Sequence, residues 1–507
     1  MSGEYHPSFH AASAPDRLAV VMPSTGETRT YAEMEARSNQ IAAMLRSRGL
    51  RHGDVVAVVM PNDVSWFEIV WGVQRCGLYL VPVNWHLAAK EAAYIVADCE
   101  AKALIASASL ADTIAALGEA ADNVPLRFAT GGSLPGFESL EEAVAGQPTA
   151  ASPDDVEGSW MFYSSGTTGV PKGIKPALPI VELGPMNPLV GLISGLYGFT
   201  PESVYLSPAP LYHAAPAGWT TTVHRIGGTV VVMDRFDPLE WMRLVEAFKV
   251  THTQMVPTYL VRLLKLAEST RSRYDLSSLQ MVVHAAAPCP PEVKRAAIEW
   301  LGPIVYEYYA ASEGTGFCAI GPQEWLEHPG SVGKSLLGPV HITDEEGNEL
   351  PVGEEGEIWF EAIHRFDYHG DPEKTARAFN DKGWNSIGDI GRLDEEGYLY
   401  LTDRVSNMII SGGVNIYPRE AEDVLIGHFA VDDVAVIGTP DEVMGEKVTA
   451  FVQLREGEPA SQQLAEELIE FCRERLSHFK CPREVRFVDA LPRLPNGKLL
   501  KRLLTSS

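Results

Sequence analysis

The sequence predicts an α/β protein with a large N-terminal part built on parallel sheets and a small α+β part at its C-terminal end. Three observations lead to this fold class. Strand-like apolar runs alternate with helix-like segments in the first part of the chain, short strands and turns dominate after about residue 330, and the last hundred residues carry a mixed pattern. The length of 507 residues allows two to four domains.

The first part of the chain alternates between the two kinds of element. Buried-strand patterns lie at 55–60, 78–83 and 103–106, and apolar residues at helical spacing lie at 30–48, 66–75 and 88–96. Further strands are predicted at 228–232, 253–256 and 281–284, and further helices at 241–248 and 258–268. Strands that alternate with helices predict parallel sheets covered on both faces.

The later part of the chain has a different character. Short strands at 356–360, 383–384 and 397–401 are typical of antiparallel structure. Beyond a boundary near Arg404, strands at 433–437, 448–454 and 485–488 and a helix at 460–475 predict a small α+β domain.

Composition and charge exclude several classes of function. Lysine and arginine number 41 against 67 aspartate and glutamate, so the net charge is −26, and a general nucleic-acid partner is not expected. No apolar run approaches the roughly 18 residues of a membrane span, so no integral membrane contact is expected. The start of the chain carries no basic and apolar leader pattern, and six scattered cysteines fit a reducing cytoplasm. A homodimer is compatible with these features.

The region 471–502 is basic, with nine lysines and arginines against three acidic residues. This excess suits a phosphate-rich ligand, and a solvated basic helix face is an equally good interpretation.

The strongest chemical signal is the segment from Tyr163 to Gly173, which holds two serines, two threonines, three glycines and a lysine. Glycines let the backbone approach a ligand closely, and hydroxyls, amides and an ammonium group bind phosphate oxygens. It is not a Walker A loop, because Pro171 precedes Lys172 and Gly173 follows it. The segment therefore predicts a phosphate-binding loop.

This segment resembles the phosphate-loop signature of the adenylate-forming superfamily, which includes acyl-CoA synthetases, peptide-synthetase adenylation domains and beetle luciferases. The chain is most similar to bacterial fatty-acid-type acyl-CoA synthetases. Further motifs resemble those of the family in the same order: Pro210-Leu211-Tyr212-His213, Tyr308 to Glu313, Ile387-Gly388-Asp389, Asp403 to Gly413 with Ile416 to Glu420, and Pro495-Asn496-Gly497-Lys498.

The resemblance implies a reaction in two steps: a carboxylate attacks the α-phosphate of ATP to give acyl-AMP and pyrophosphate, and a thiol then displaces AMP. ATP, Mg²⁺ and coenzyme A are the implied cofactors and co-substrates, and a small carboxylic acid is the implied substrate. The implied catalytic residues are Lys498, Glu313 and His213. The implied ATP- and AMP-binding residues are Ser164, Ser165, Gly166, Thr167, Thr168, Lys172, Ala287, Pro288, Tyr308, Tyr309, Ala310, Ser312, Asp389 and Arg404.

Each implied role has a chemical reason. Glu313, with Thr168, would hold Mg²⁺, which prefers oxygen ligands, and Tyr309 would offer a face to adenine. Asp389 would accept hydrogen bonds from the ribose hydroxyls, and the guanidinium group of Arg404 would donate paired hydrogen bonds to ribose or phosphate. Lys498 would bridge the carboxylate and the α-phosphate in the first transition state.

The resemblance also implies the domain layout: an ATP- and acyl-binding domain at 1–403, which includes a small β-barrel-like subdomain, a hinge at 404–407, and a C-terminal domain at 408–507 that rotates between the two steps. The hinge residue, usually Asp or Lys in the family, is Ser406 here. Ser406, Ser411, Gly412 and Gly413 are the residues implied in CoA binding and hinge motion.

The acyl pocket is expected near His213, Ala217, Gly218, Ala286 and Ala310. Most of these residues are small, which suggests room for a bulky or long apolar acid. The segment 176–208 either roofs a tunnel for a fatty, alicyclic or aryl acid or simply closes the sheet by packing. Two other functions stay open: an adenylation enzyme that loads a carrier protein, and a non-catalytic nucleotide-binding regulatory protein. A luciferase-like oxidase would need an unusual substrate.

Overall fold

The structure is a computed structural model that describes residues 5–164, 171–186, 188–361, 365–404, 407–411, 414–441, 444–493 and 499–504. The chain divides into two compact units. Unit 1 comprises the described residues within Met1–Met255, Lys265–His284 and His364–Arg377, and unit 2 comprises those within Val256–Leu264, Ala285–Ile363 and Ala378–Ser507.

The strands are numbered in chain order: β1 (Leu18–Met22), β2 (Glu27–Thr30), β3 (Val55–Val59), β4 (Tyr79–Pro82), β5 (Ala103–Ser107), β6 (Leu126–Thr130), β7 (Glu138–Ser139), β8 (Ser159–Trp160), β9 (Phe162–Ser164), β10 (Lys172–Pro176), β11 (Val204–Ser207), β12 (Thr229–Val232), β13 (His252–Met255), β14 (Met281–His284), β15 (Val305–Tyr309), β16 (Cys318–Ile320), β17 (Ser331–Ser335), β18 (Val340–Thr343), β19 (Gly356–Glu361), β20 (Phe366–Tyr368), β21 (Trp384–Asn385), β22 (Asp389–Leu393), β23 (Leu399–Arg404), β24 (Ile409–Ser411), β25 (Val414–Ile416), β26 (Val431–Asp441), β27 (Gly445–Leu454) and β28 (Glu484–Val488).

The helices are α1 (Pro7–Ser13), α2 (Tyr31–Ser47), α3 (Val64–Gln74), α4 (Ala89–Asp98), α5 (Ala111–Ala116), α6 (Glu119–Asp122), α7 (Leu140–Val144), α8 (Pro188–Tyr197), α9 (Ala214–Ile226), α10 (Pro238–Phe248), α11 (Pro257–Leu264), α12 (Glu268–Arg271), α13 (Pro291–Leu301), α14 (Pro322–Glu327), α15 (Pro372–Arg377), α16 (Pro418–Leu425) and α17 (Gln462–Arg473).

Unit 1 contains three sheets. One is wholly parallel, in the order β7-β6-β5-β3-β4-β8, and its central strand β3 is buried at every position. The second has the order β14-β13-β11-β12-β1-β2, parallel except for β2, which runs antiparallel to β1. The third is a small antiparallel sheet, β20-β10-β9. The predicted parallel α/β architecture is confirmed.

Local sequence explains where the early helices of unit 1 begin. Thr30 and Glu33 form a reciprocal capping box at the start of α2, and the Asp63 side chain accepts a hydrogen bond from the Ser65 amide at the start of α3. Each helix therefore begins at a residue whose side chain satisfies an otherwise unpaired amide of the first turn.

Unit 2 is mainly antiparallel. Its larger sheet runs β18-β19-β22-β23-β17-β16-β15, with β21 beside β19, and the predicted antiparallel strands after residue 330 are confirmed. The barrel-like closure stays a prediction. The end of the chain forms a second sheet, β25-β24-β27-β26, with β28 parallel to β27. This sheet and helices α16 and α17 enclose a separate apolar core, as expected for the small α+β domain.

Two differences from the sequence predictions have physical reasons. The predicted helix at 258–268 ends at Leu264, since the following residues 265–269 bury no side chain and give the helix no packing face. Helix α8 was not predicted because Gly191 and Gly195 lower its intrinsic helix propensity. Tertiary packing forms this helix all the same, and it lies against α9.

Two further findings concern the whole described chain. All six cysteines are buried and free of disulfide bonds, as expected for small apolar side chains. Within the described ranges, no helix combines the length and the apolar character that a membrane crossing requires.

Candidate active site

The phosphate-loop segment joins two paired strands of unit 1. Strands β9 and β10 run antiparallel, and the register sets Lys172 opposite Ser164. The two strands therefore bring both ends of the loop to one place. The Ser164 side chain lies outside the described part of the structure, and so do Ser165, Gly166, Thr167 and Thr168, which stay predictions.

The first end of the loop is anchored by Asp98, at the end of α4. One carboxylate oxygen accepts a hydrogen bond from the Tyr163 hydroxyl at 2.7 Å, and the other accepts one from the Tyr94 hydroxyl at 2.8 Å. Burial, followed by the bond to Asp98, raises the pKa of Tyr163, so its hydroxyl stays a donor. Across the hairpin, a Cβ on Gly173 would lie 2.9 Å from Tyr163 Cζ, so this position requires glycine.

The second end of the loop is anchored by an ion pair. Lys172 Nζ lies 3.2 Å from Asp371 Oδ2, and both side chains are 23% exposed. The other oxygen, Asp371 Oδ1, accepts a hydrogen bond from the Lys374 amide at 3.0 Å. That amide bond first, and the bond from Lys172 second, lower the pKa of Asp371, so the carboxylate is ionised near neutral pH.

In unit 2, three residues from three separate motifs come together. The Tyr309 hydroxyl donates a hydrogen bond of 2.6 Å to Asp389 Oδ2. Asp389 is only 5% exposed, and the β22–β23 register sets Arg404 directly opposite it. The structure thus gathers an aromatic ring, a buried carboxylate and the backbone of an arginine, although the Arg404 side chain lies outside the described part.

The two adjacent tyrosines of β15 differ in their surroundings, since neighbouring residues of a strand point to opposite faces. The Tyr308 ring stacks on Phe317, with centroids 5.2 Å apart and planes 6° apart. Tyr309 instead lies 6.1 Å from the Phe360 ring and packs against the core of the antiparallel sheet. One face of Tyr308 is therefore covered by Phe317.

The loop after β14 carries the predicted residues Ala286, Ala287 and Pro288. Ala286 has φ of 71°, a left-handed conformation that costs a non-glycine residue about 1 kcal/mol or more. Ala287 is half-buried and Pro288 is exposed. Strained backbone of this kind is concentrated at ligand-binding sites.

The turn after β15 carries Ala310, Ser312 and Glu313, of which Ser312 is exposed and the other two are half-buried. Among the described residues, no group of three or more His, Cys, Asp or Glu could hold a metal ion unaided. Mg²⁺ that travels with ATP needs only one or two carboxylates besides the phosphate oxygens. A single carboxylate, that of the half-buried Glu313, fits that donor set.

The predicted acyl-pocket residues of unit 1 lie at the start of α9. His213 is the N-cap residue of this helix, and its ring centroid lies 4.4 Å from that of Tyr212. Ala217 is buried, and a Cβ on Gly218 would lie 3.7 Å from Leu189 of α8. Leu189 of helix α8, which belongs to the segment 176–208, therefore lies beside Gly218 of α9.

The predicted C-terminal residues are only partly described. Ser411 is buried in β24, whereas Ser406, Gly412, Gly413 and Lys498 lie outside the described residues and stay predictions. Next to the hinge, Asp403 accepts hydrogen bonds from Asn407 Nδ2 at 3.0 Å and from the Arg419 amide at 3.1 Å.

Two carboxylates with clear structural roles, Asp98 and Asp371, were not singled out in the sequence, whereas Asp403 was named as the start of the hinge motif. Asp371 precedes Pro372 at the start of a short helix, and this Asp-Pro pattern was the one available signal. Asp98 carries no comparable mark.

Comparison with known proteins agrees with the motif order. The sequence profile described as AMP-binding enzyme matches residues 8–364, and the profile described as AMP-binding enzyme C-terminal domain matches residues 420–498. The chain belongs to the AMP-binding enzyme family. This family, the α/β fold class and the reaction class of ATP-dependent carboxylate–CoA ligation are confirmed.

Relatives cover almost the whole chain. The long-chain-fatty-acid–CoA ligase FadD13 of Mycobacterium tuberculosis is 33% identical over 97% of this chain and 96% of its own length. The fatty acid–[acyl-carrier-protein] ligase ScoC of Streptomyces coeruleorubidus is 31% identical over 98% and 94%. The solved structure of o-succinylbenzoate CoA synthetase (MenE) from Bacillus subtilis, in complex with its acyl-adenylate intermediate, is 25% identical, with a TM-score of 0.82 over 100% of this chain and 98% of that one.

Proposed function

We propose that this AMP-binding enzyme is an AMP-forming acid–CoA ligase whose substrate is a hydrophobic carboxylic acid. The observation that carries the nucleotide part of the proposal is the 2.6 Å bond between Tyr309 and the buried Asp389, with Arg404 opposite in register. A buried carboxylate with a fixed orientation suits the two hydroxyls of a ribose.

In the first step, a carboxylate oxygen of the acid attacks the α-phosphorus of ATP. The new phosphorus–oxygen bond forms as the bond to the β-phosphate bridging oxygen breaks, and pyrophosphate leaves. Lys172 and the hydroxyls of the loop bind the phosphates, and Asp389 orients the ribose. Lys498 neutralises the charge that develops between acid and α-phosphate. Glu313 and Thr168 would hold Mg²⁺, which would supply positive charge to the phosphates.

In the second step, the sulfur of coenzyme A attacks the acyl carbon. The thioester bond forms, the bond to the AMP oxygen breaks, and the thiol proton is lost to solvent. We propose that the domain at 408–507 rotates about the hinge at 404–407 between the steps. Its own apolar core and the separate profile match at 420–498 support its being a distinct body.

The proposed substrate class rests on the small residues of α9 and the apolar helix that lies against it. Gly218, which has no side chain, lies where Leu189 approaches α9, and the adjacent Ala217 carries only a methyl group. FadD13 is named for long-chain fatty acids and MenE for an aryl acid, so relatives of both kinds share this architecture. We propose a fatty, alicyclic or aryl acid.

The experiment that tests the function measures AMP release from ATP, with and without CoA, over short, medium, long, aryl and alicyclic acids. We expect CoA-dependent AMP release with one class of hydrophobic acid. Faster turnover of acetate than of every larger acid would refute the substrate class, and no AMP release with any acid would refute the enzyme reading.

The Lys498 assignment is tested by separating the half-reactions. We expect Lys498→Ala to abolish acyl-AMP formation while it largely preserves thioester formation from supplied acyl-AMP, because the charge acts only on the first transition state. Lys480→Ala, which changes another lysine of the C-terminal part, one that pairs with Glu420, is the matched control. Equal losses in both half-reactions would contradict the assignment.

A second candidate is a ligase that transfers the acyl group to the pantetheine of a carrier protein. The similarity to ScoC, an acyl-carrier-protein ligase, favours this candidate. Acid-dependent pyrophosphate exchange without CoA-dependent turnover, followed by transfer to a holo carrier protein, would establish it.

A further inference from the structure

The strand that carries Lys172 is held by a segment from far along the chain. Strand β20 pairs antiparallel with β10, with Ile174 opposite Tyr368, and the His369 amide donates to the Gly173 carbonyl at 2.8 Å. The His369 ring lies within 2.9 Å of the Asp98 carbonyl oxygen. These contacts fix the segment 365–377 to strand β10 and to the end of helix α4, next to the phosphate loop.

The Asp371 side chain extends from this segment towards Lys172, and hydrogen bonds fix its orientation. Its Oδ1 is fixed by the Lys374 amide, while its Oδ2 lies 3.2 Å from Lys172 Nζ. The Asp371 carbonyl also accepts hydrogen bonds from the amide and hydroxyl of Thr375. The carboxylate is therefore tied to the backbone on one side and directs one acceptor oxygen at the lysine.

An ammonium group has three donors, and Asp371 uses one of them. Lys172 can thus keep its bond to Asp371 and still donate to phosphate oxygens of a nucleotide. A lysine side chain loses much rotational freedom when it is ordered. A partner that orders it before the nucleotide arrives lowers that cost at the moment of binding.

We propose that Asp371 is a positioning residue that holds the Lys172 ammonium ready for the phosphates of ATP. This inference rests on the proposed function, in which Lys172 binds those phosphates. Asp371 itself touches no substrate. It borders an open recess of about 370 Å³ with Arg365, Tyr368 and Thr375, so it can be changed without opening the apolar core.

The test uses Asp371→Asn in the full-length enzyme. Asparagine keeps the acceptor for the Lys374 amide, since Asn and Asp cap helices equally well, but it removes the charge that holds Lys172. We expect KM for ATP to rise about three- to tenfold, with unchanged KM for acid and CoA and an unchanged melting temperature. The matched control, Asp367→Asn on β20, removes the same charge nearby and should leave KM for ATP at the parent value.

A double-mutant cycle with Lys172→Ala separates positioning from a general charge effect. We expect Lys172→Ala to raise KM for ATP, and Asp371→Asn to add nothing in that background. An unchanged or lowered KM for ATP in Asp371→Asn, or full additivity with Lys172→Ala, would overturn this inference alone. An unchanged KM for ATP in Lys172→Ala would instead refute the proposed role of the loop lysine.

Discussion

Replacing Tyr309 with phenylalanine removes one oxygen and leaves the ring in place. The lost bond is short, at 2.6 Å, and its acceptor Asp389 is 5% exposed, so water cannot replace the donor. Hydrogen bonds to charged groups contribute about 1.5–3 kcal/mol. We expect the free energy of unfolding of Tyr309→Phe to fall by about that amount, as measured by denaturant titration.

The same change should weaken ATP binding, because Asp389 loses the bond that orients it towards the proposed ribose. If the free energy of ATP binding becomes less favourable by about 1.4 kcal/mol, KM for ATP rises roughly tenfold. KM for CoA should stay at the parent value.

The matched control is Tyr398→Phe, which also removes a tyrosine donor from a carboxylate. Its bond to Glu324 is 3.2 Å long and the glutamate is exposed, so we expect a loss below about 0.5 kcal/mol and no change in KM for ATP. Equal losses of stability in the two variants, or an unchanged KM for ATP in Tyr309→Phe, would refute the reasoning.

Two further predictions concern buried groups. His224 accepts from Trp71 Nε1 at 3.3 Å and donates to the Ala19 carbonyl at 3.0 Å, so it is neutral, and burial lowers its pKa to about 3. Because the unfolded chain binds the proton and the folded chain does not, the free energy of unfolding should fall as pH drops below about 6.5. This residue should account for a loss of roughly 3 kcal/mol at pH 4. The variant His224→Gln should lack that part of the pH dependence, and an unchanged pH dependence in the variant would contradict the prediction. In the turn after Glu313, a Cβ on Gly316 would lie 2.2 Å from the Phe360 ring at φ of 53°, so Gly316→Ala should cost about 3–4 kcal/mol of stability. Gly314→Ala, with a similar φ of 76° and open space, should cost about 1 kcal/mol, and equal costs would show that the ring moves aside.

Local pattern predicted the elements that are regular and buried. Strand β3 was recognisable because all five of its residues are apolar and buried, and α2 because Thr30 marks its start. Helix α8 was not, since two glycines and a flanking proline resemble a loop until packing against α9 is known. Packing, which depends on distant residues, decides such cases.

The candidate site divides in the same way. Motif order singled out Tyr309, Asp389 and Lys172 as candidates, because each lies in a short, distinctive string. It could not identify Asp371 as the partner of Lys172, since almost two hundred residues separate them and an ion pair leaves no local pattern. Nor could it decide which of Tyr308 and Tyr309 meets Asp389, since strand alternation separates their faces without saying what lies on each.

The pairing of β10 with β20 also determines when the edge of β10 can be covered during biosynthesis. Chains emerge at about 5–20 residues per second, so the partner of β10 is made roughly ten to forty seconds after β10 itself. During that interval one edge of the hairpin that carries the loop has no strand beside it, which invites pairing with other nascent chains. A ribosome pause between residues 176 and 366 would prolong this exposure, because β20 would not yet have been made.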